Sequence, residues 1–333
     1  MIQEGFEITY NKNEISQLMQ EQEDLLIVTQ KDIWEAVSAR FIDKPDNLYY
    51  IESLELDFLD QFVKEYSHFK KVVGLGGGRA ADVAKYLQWK GRVTLYQIPT
   101  ILSVDAFFTH EVAIRQNGVV KYIGNAVPEK VFIDTDLIQS APIALNRSGI
   151  GDILSCHTGL YDWKIASDAG IEPLWDISLA EKTEKLLSEV LENSEEIREV
   201  SEKGIRLMAT ALNWIGHHCY VDGHPRFEEG SEHHVVYNLE YVTGKHFVHG
   251  QAVCLGVFIM SLLQNNEPEK MLNTIRNAGI DITPEALGIT WEDLRKTLET
   301  LNEFVRKEGL PYTILYEKDV DVSLFETVKK ALT

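Results

Sequence analysis

The segment that most constrains this chain is Lys71-Val-Val-Gly-Leu75, which runs straight into Gly76-Gly-Gly-Arg-Ala-Ala-Asp82 and then into a helical pattern ending near Gly91. A short apolar run without polar alternation reads as a strand covered on both faces, as in a parallel sheet. Three successive glycines at its end turn the chain directly into a helix. The flanking sequence repeats the alternation. Leu25-Leu-Ile-Val-Thr29 reads as a strand, with a helix over residues 32–40. Leu48-Tyr-Tyr-Ile51 is a second strand, followed by a helix through Phe58, Phe62 and Tyr66. The glycine-tipped strand is then the third, and Val93-Thr-Leu-Tyr-Gln-Ile98, stopped by Pro99, the fourth. The first half is expected to be an α/β domain, a parallel sheet between two layers of helix.

Beyond about Ala141 the texture changes. Ile153, Leu154, Leu160, Tyr161 and Ile165 recur at helical spacing over residues 151–166, and amphipathic stretches follow at 178–191, 194–217, 251–264 and 291–308. Strand signals largely vanish. A chain of 333 residues is also long enough for two cores. The expected division is an α/β domain over residues 1–145 and an all-helical domain over residues 146–333, with the boundary between Ala141 and Gly149.

The formal charge of −20 disfavours nucleic acid and anionic membrane as partners, because binding phosphates needs clustered Lys and Arg. Cys156, Cys219 and Cys254 are scattered and show no CxxC spacing, which points to buried thiols in a reducing compartment rather than to disulfides or a thiolate zinc site. The N-terminus has no basic segment followed by an apolar run, and no apolar stretch approaches the roughly 18 residues needed to span a bilayer. A cytoplasmic protein without membrane insertion is expected.

Two features carry chemistry. A glycine-rich turn between a buried strand and a helix lets backbone amides approach a diphosphate at the positive end of the helix dipole. Gly74-Leu-Gly76-Gly-Gly-Arg79 is not the common GxGxxG fingerprint, since arginine stands at the third glycine and no Walker lysine follows. Tight-turn chemistry alone would also explain it. Asp82, one turn into the helix, is placed to stabilise that N-terminus or orient the turn. The second feature is histidine clustering: seven of the ten histidines (His217, His218, His224, His233, His234, His246 and His249) fall in one short stretch. Neutral imidazole is the commonest metal ligand, and any two or three of these could serve, or none. HExxH is absent. Asp152, opening a mostly apolar helix where an unpaired carboxylate would be costly, is a candidate third ligand.

The pieces stand in a recognisable order. Gly76-Gly-Gly-Arg-Ala-Ala-Asp82-Val-Ala-Lys85, Pro99-Thr-Ile-Leu-Ser103-Val-Asp105-Ala-Phe-Phe-Thr109, Gly151-Asp152, Asp162-Trp163-Lys-Ile-Ala166, Gly230-Ser-Glu-His233 and His249-Gly-Gln-Ala-Val253 follow one another. In this the chain resembles the superfamily of dehydroquinate synthases and iron-containing alcohol dehydrogenases, and is most similar to its glycerol-1-phosphate dehydrogenase branch. The resemblance implies a dinucleotide-binding α/β domain, a helical metal- and substrate-binding domain, and an active site in the cleft between them. It implies a metal-dependent oxidoreductase linked to NAD or NADP and acting on a small-molecule CH–OH group, most specifically dihydroxyacetone phosphate and sn-glycerol 1-phosphate. A homo-oligomer is expected. By motif match, Asp152, His233 and His249 would hold one divalent ion, zinc first, with iron or nickel as alternatives. His233 is preferred to His234 because it stands 16 residues before His249. Gly76, Gly77, Gly78, Asp82, Thr100, Ser103 and Thr109 would line the dinucleotide, and Asp105 would face the substrate.

Two positions depart from the pattern. Tyr237 stands where the glycerol-1-phosphate enzymes usually carry a substrate-contacting histidine, and Cys156 where the iron alcohol dehydrogenases carry a fourth, histidine ligand. The second departure implies three protein ligands. The first keeps a glycerol or other small-alcohol dehydrogenase as the alternative, with a dehydroquinate synthase-like cyclase and a non-catalytic paralogue behind it. Tyr237, His246 and a metal-bound water are the candidates for moving the proton. Lys245, Arg226, His234 and His246 are the donors on offer for a substrate phosphate. Glu52, after the second strand, would repel a 2′-phosphate and so favours NAD.

Overall fold

The computed structural model describes residues 4–20, 24–40, 45–116 and 119–333. They divide into two compact units. The first comprises the described residues up to Asn146 together with Leu212–Asp222, and the second comprises Arg147–Ala211 with Gly223–Thr333.

The first unit is built on a six-stranded parallel sheet. Its strands are β1 (Ile8–Thr9), β2 (Leu25–Thr29), β3 (Leu48–Tyr50), β4 (Lys71–Gly76), β5 (Thr94–Pro99) and, after the antiparallel hairpin β6 (Glu111–Gln116) and β7 (Val119–Asn125), β8 (Lys130–Phe132). The order across the sheet is β1-β8-β5-β4-β2-β3. β4 and β5 pair from Lys71 opposite Thr94 to Gly76 opposite Pro99, so the glycine turn leaves the sheet beside the end of β5. The helices are α1 (Lys12–Gln20), α2 (Lys31–Val37), α3 (Leu56–Tyr66), α4 (Gly78–Gly91), α5 (Thr135–Gln139) and α6 (Ile143–Ser148), the last running across the boundary between the units.

Successive strand residues point to opposite faces, and both faces of this sheet are covered. Leu26, Val28, Val72 and Leu95 pack with Leu59 and Phe62 of α3 and Val83 and Leu87 of α4. Leu25, Ile27, Val73, Leu75 and Ile98 pack with Leu18 of α1 and Trp34 of α2. This double burial is why β2 and β4 are apolar at every second residue and also in between. Two features differ from the sequence expectation. Ile8–Thr9 forms a two-residue strand beside β8, too short to show a period, so the glycine turn follows the fourth strand rather than the third. The hairpin breaks the βα alternation; its first strand, Glu-Val-Ala-Ile-Arg-Gln, mixes charged and apolar residues and carries a weak signal.

A buried ion pair fastens the hairpin to α4. Lys85 Nζ lies 3.1 Å from Asp82 Oδ1, with both side chains almost fully enclosed. The ammonium also donates to the Glu111 carbonyl at 2.5 Å and the Thr109 hydroxyl at 3.2 Å, while Asp82 accepts the Ala113 N–H at 3.0 Å. Burial pushes the Asp82 carboxyl up, and Lys85 and the Ala113 amide pull it back.

The last part of the first unit comes from far along the chain. The Asn213 side chain clamps Phe6 by accepting its N–H at 2.9 Å and donating to its carbonyl at 3.0 Å. Tyr220 stacks on His110 at 3.9 Å. Gly216 lies so close to Phe108 that a Cβ there would fall 2.3 Å from its carbonyl oxygen.

The second unit is helical among its described residues: α7 (Ile150–Asp168), α8 (Ile177–Glu192), α9 (Ser194–Glu199), α10 (Glu202–Val221), α11 (Ser231–Thr243), α12 (His249–Gln264), α13 (Pro268–Asn277), α14 (Pro284–Leu287), α15 (Trp291–Glu308), α16 (Ile314–Glu317) and α17 (Val322–Leu332), with α10 shared between the units. The single helix expected over 194–217 is two. Val200 adopts a left-handed conformation, φ 51°, and the Ser201 hydroxyl accepts the Gly204 N–H at 3.0 Å, which starts α10 afresh. No helix among the described residues is long and apolar enough to cross a membrane.

Removing one member of a buried ion pair leaves the other charge uncompensated, at a cost of about 3–5 kcal/mol. Lys85→Met is therefore expected to lower the urea midpoint markedly, and adding Asp82→Asn to restore most of the loss. Equal midpoints for wild type and Lys85→Met would show that the pair does not secure the hairpin.

Candidate metal centre

Three helices of the second unit meet through backbone rather than side chain. A Cβ on Gly151 of α7 would fall 2.2 Å from the Gly250 carbonyl oxygen of α12, and one on Gly250 would fall 1.9 Å from that of Ser148. A Cβ on Gly256, farther along α12, would fall 2.4 Å from the Glu232 carbonyl oxygen of α11. Only hydrogen fits at these positions, so α7 and α11 both lie directly against α12.

The residues beside those contacts converge. Asp152, His233 and His249 each offer one ligand atom, and the three atoms lie within 4.8 Å of one another. Asp152 Oδ1 is 3.3 Å from His249 Nε2, and the two imidazole centroids are 5.3 Å apart. Asp152 is 2% exposed, and neither of its carboxylate oxygens accepts a hydrogen bond from a described group. An enclosed carboxylate in that position is expensive unless a cation compensates it. One carboxylate and two imidazoles are a donor set suited to a divalent transition metal, so the residues fit such an ion.

His233 is held from behind: its Nδ1 lies 2.8 Å from Glu232 Oε1. Burial works against charging this ring, but Glu232, aided by Glu229 and Glu228, outweighs it and pushes the imidazole up to about 10. The next residue differs entirely. His234 is buried without such a partner, burial drives it down to about 3, and it lies outside the convergent group.

The remaining histidines disperse. His218 sits between Glu4 and Asp222, 2.6 Å from each; His224 packs on Trp163; His246 is exposed near Glu240. Cys156 is fully buried, with its thiol pushed well up by burial, and is not part of the group. Tyr237 lies one turn after His233, their ring centroids 6.2 Å apart, and donates its hydroxyl proton to Glu229. Two phosphate donors suggested by sequence bond main-chain carbonyls, although the buried Nη1 of Arg226 has no hydrogen-bond partner among the described groups. Arg226 is buried and donates to the carbonyls of Tyr312 and Asp162, and Lys245 donates to that of Gly288 at 2.5 Å.

The glycine turn lies in the first unit. Gly76 has φ +151°, a backbone that side chains rarely adopt, and Gly77 precedes α4 without a side-chain cap. A Cβ on Gly77 would meet only Ile101, and one on Gly78 only Val104 and Ala106, each at 3.4 Å or more. Thr100 donates its N–H to the Gly76 carbonyl at 2.8 Å, and its buried hydroxyl oxygen has no hydrogen-bond partner among the described groups. Ser103 and Asp105 follow in the loop between β5 and β6. Asp82 and Thr109 are both bonded to or paired with Lys85 and so belong to the buried network around it. Arg79, at the start of α4, reaches the Glu52 main-chain carbonyl at 3.5 Å, which brings a guanidinium to the backbone of the residue whose charge favoured NAD.

From sequence, Glu232 and Lys85 stood only inside motifs without a role of their own, and Glu229 was not singled out. Glu232 had a readable signal, a carboxylate directly before a histidine in Gly230-Ser-Glu-His233.

A family model described as iron-containing alcohol dehydrogenase matches residues 11–142. Among curated proteins, a glycerol-1-phosphate dehydrogenase [NAD(P)+] of Thermofilum pendens is 32% identical over 75% of this chain and 75% of its own length. That of Aeropyrum pernix is 30% identical over 76% and 70%. Among solved structures, a probable glycerol dehydrogenase of Sinorhizobium meliloti superposes with TM-score 0.69 at 20% identity, covering 98% of this chain and 95% of its own. Maleylacetate reductase of Agrobacterium tumefaciens does so with TM-score 0.70 at 14% identity, covering 100% and 97%. The architecture is the one shared by the iron-containing alcohol dehydrogenases and their structural relatives. Within that class, the chain belongs to the glycerol-1-phosphate dehydrogenase family.

His233→Ala should abolish stoichiometric binding of a divalent metal, and His234→Ala should leave it nearly intact. Elemental analysis of the two purified variants checks this; equal metal content in both would remove the assignment.

Proposed function

We propose that this chain is a metal-dependent, NAD(P)-linked dehydrogenase that interconverts dihydroxyacetone phosphate and sn-glycerol 1-phosphate. The observation that carries the chemistry is the convergence of Asp152, His233 and His249 around a buried carboxylate with no hydrogen-bond donor. The named activity of the relatives supports the substrate. A divalent ion at the triad, zinc by this donor set, would supply Lewis acidity to the substrate oxygen, and a nicotinamide dinucleotide would supply or accept the hydride.

The chain's own residues do the rest. Asp152 would contribute the negative charge of the ligand set, and the two imidazoles, deprotonated when the ion is held, would contribute neutral donors that leave positions open for substrate. The Gly77–Gly78 turn lets the first amides of α4 approach a diphosphate, and the Thr100 hydroxyl beside it is placed to bond the same group. Ser103 and Asp105 belong to the following loop, where Ser103 would serve the dinucleotide and Asp105 the substrate. Tyr237 is oriented by Glu229.

One observation favours a second reading. With its proton committed to Glu229, Tyr237 has only accepting capacity left, which suits a substrate hydroxyl better than a phosphate. A dehydrogenase for an unphosphorylated small alcohol is therefore the alternative. Arg79 beside Glu52 supports use of both NAD and NADP.

Assays with dihydroxyacetone phosphate, dihydroxyacetone and glycerol separate the readings. Tyr237→His is expected to lower KM for dihydroxyacetone phosphate several-fold and leave that for glycerol nearly unchanged, because a charge-assisted bond is about twice as strong as a neutral one. Turnover of unphosphorylated alcohols alone, with no gain in the variant, favours the alternative.

Gly77→Val should obstruct the diphosphate. Amide bonds to a charged group are worth about 1.5–3 kcal/mol each, so losing one raises the dinucleotide Kd about tenfold or more. Cofactor fluorescence titration measures this; an unchanged Kd makes the turn purely structural.

A further inference from the structure

Glu232 is fully buried beside the candidate metal centre, and both of its oxygens are engaged. Oε1 accepts from His233 Nδ1 at 2.8 Å and from the Gly230 N–H at 2.6 Å, and Oε2 accepts the Thr158 hydroxyl at 2.6 Å. Four residues beyond Thr158 on α7, Asp162 accepts the Ser231 N–H at 2.7 Å and its hydroxyl at 2.6 Å, and the Ile314 N–H at 2.8 Å. The first turn of α11 is thus pinned to α7 through two buried carboxylates. Gly230 leaves no room for adjustment, since a Cβ there would fall 2.8 Å from Asp162 Oδ2 and 2.9 Å from Glu232 Oε2.

We propose that Glu232 is a positioning residue for metal binding. Its bond to Nδ1 fixes the tautomer and the plane of the His233 ring, presents Nε2 to the ion, and makes the imidazole a stronger donor. α7 would then serve the centre twice, directly through Asp152 and indirectly through Thr158, Glu232 and His233. The inference rests on the reading that Asp152, His233 and His249 hold a divalent ion. Carboxylates behind metal-bound histidines commonly contribute about 10–100-fold to metal affinity.

Glu232→Gln tests this without disturbing the fold. The amide oxygen can still accept from His233 and Gly230, and the amide nitrogen can donate to Thr158, whose hydroxyl already lies 3.2 Å from the Ser155 carbonyl. Glu232→Ala removes the contact altogether. The measurement is the zinc Kd of the metal-stripped full chain, by competition with a chromophoric chelator, alongside the thermal midpoint of each metal-free protein. The expected result is about tenfold weaker zinc binding in Glu232→Gln and about 100-fold in Glu232→Ala, with the metal-free midpoint of Glu232→Gln close to wild type. A merely structural carboxylate would lower the midpoint and leave the Kd of the folded protein alone. Zinc affinity within twofold of wild type in Glu232→Gln overturns the proposal, whatever Glu232→Ala does. Failure of the wild type itself to bind zinc, iron or nickel at one per chain instead removes the metal-centre reading on which it rests.

Discussion

The candidate centre depends on a contact in which no side chain takes part, the approach of α7 to α12 at Gly151 and Gly250. Helices usually stand about 8–10 Å apart because side chains fill the gap between them. Where both partners are glycine the backbones themselves touch, and neighbouring residues gain a short reach across the junction. Asp152 and His249 are those neighbours. The same device recurs where Gly256 admits the backbone at Glu232, which seats α11 and with it His233. The ligand atoms are close because the helices are close, and the helices are close because three positions lack a Cβ.

Much of the fold is legible in residue pattern. β2 and β4 are apolar throughout because both faces of the sheet are covered, and α15 begins and ends where its capping box and Gly309 dictate. What could not be read are features too short or too mixed to carry a period: the two residues of β1, the hairpin, and the break at Val200. The centre is legible unevenly. Histidine clustering marks the stretch, but proximity in sequence says nothing about which rings share a direction, and residue reasoning left all seven open. Register on α11 decides between adjacent residues, turning His233 to Glu232 and the triad and burying His234 elsewhere. The pairing of Glu232 with His233 is local and was open to reading, whereas its bond to Thr158 and those of Lys85 to Thr109 and Glu111 join distant segments and became visible only in the folded chain.

Carboxylates outnumber cations around the triad. Glu228, Glu229 and Glu232 all bear on His233, and Asp152 adds a further carboxylate, while the buried Arg226 interacts with Glu232 and Glu229. Such a field attracts a cation and, until one is present, works against any anion. On the proposed function, substrate charge and metal occupancy would be linked: a phosphorylated substrate would be served only once the local negative charge has been offset, whereas a neutral alcohol would be less sensitive to it.

The segment Leu212–Asp222 has a different kind of consequence. It lies far along the chain yet completes the first unit, clamping Phe6 through Asn213 and covering Phe108 and His110 through Gly216 and Tyr220. The α/β unit is therefore not a continuous stretch of gene. A chimera joined near Asn146 that grafts this unit onto another protein would carry the whole sheet and leave a patch of its surface bare. During synthesis, likewise, a ribosome must have delivered about two thirds of the chain before the first unit can close. Inheritance and assembly of this half are tied to the other half by one stretch of helix.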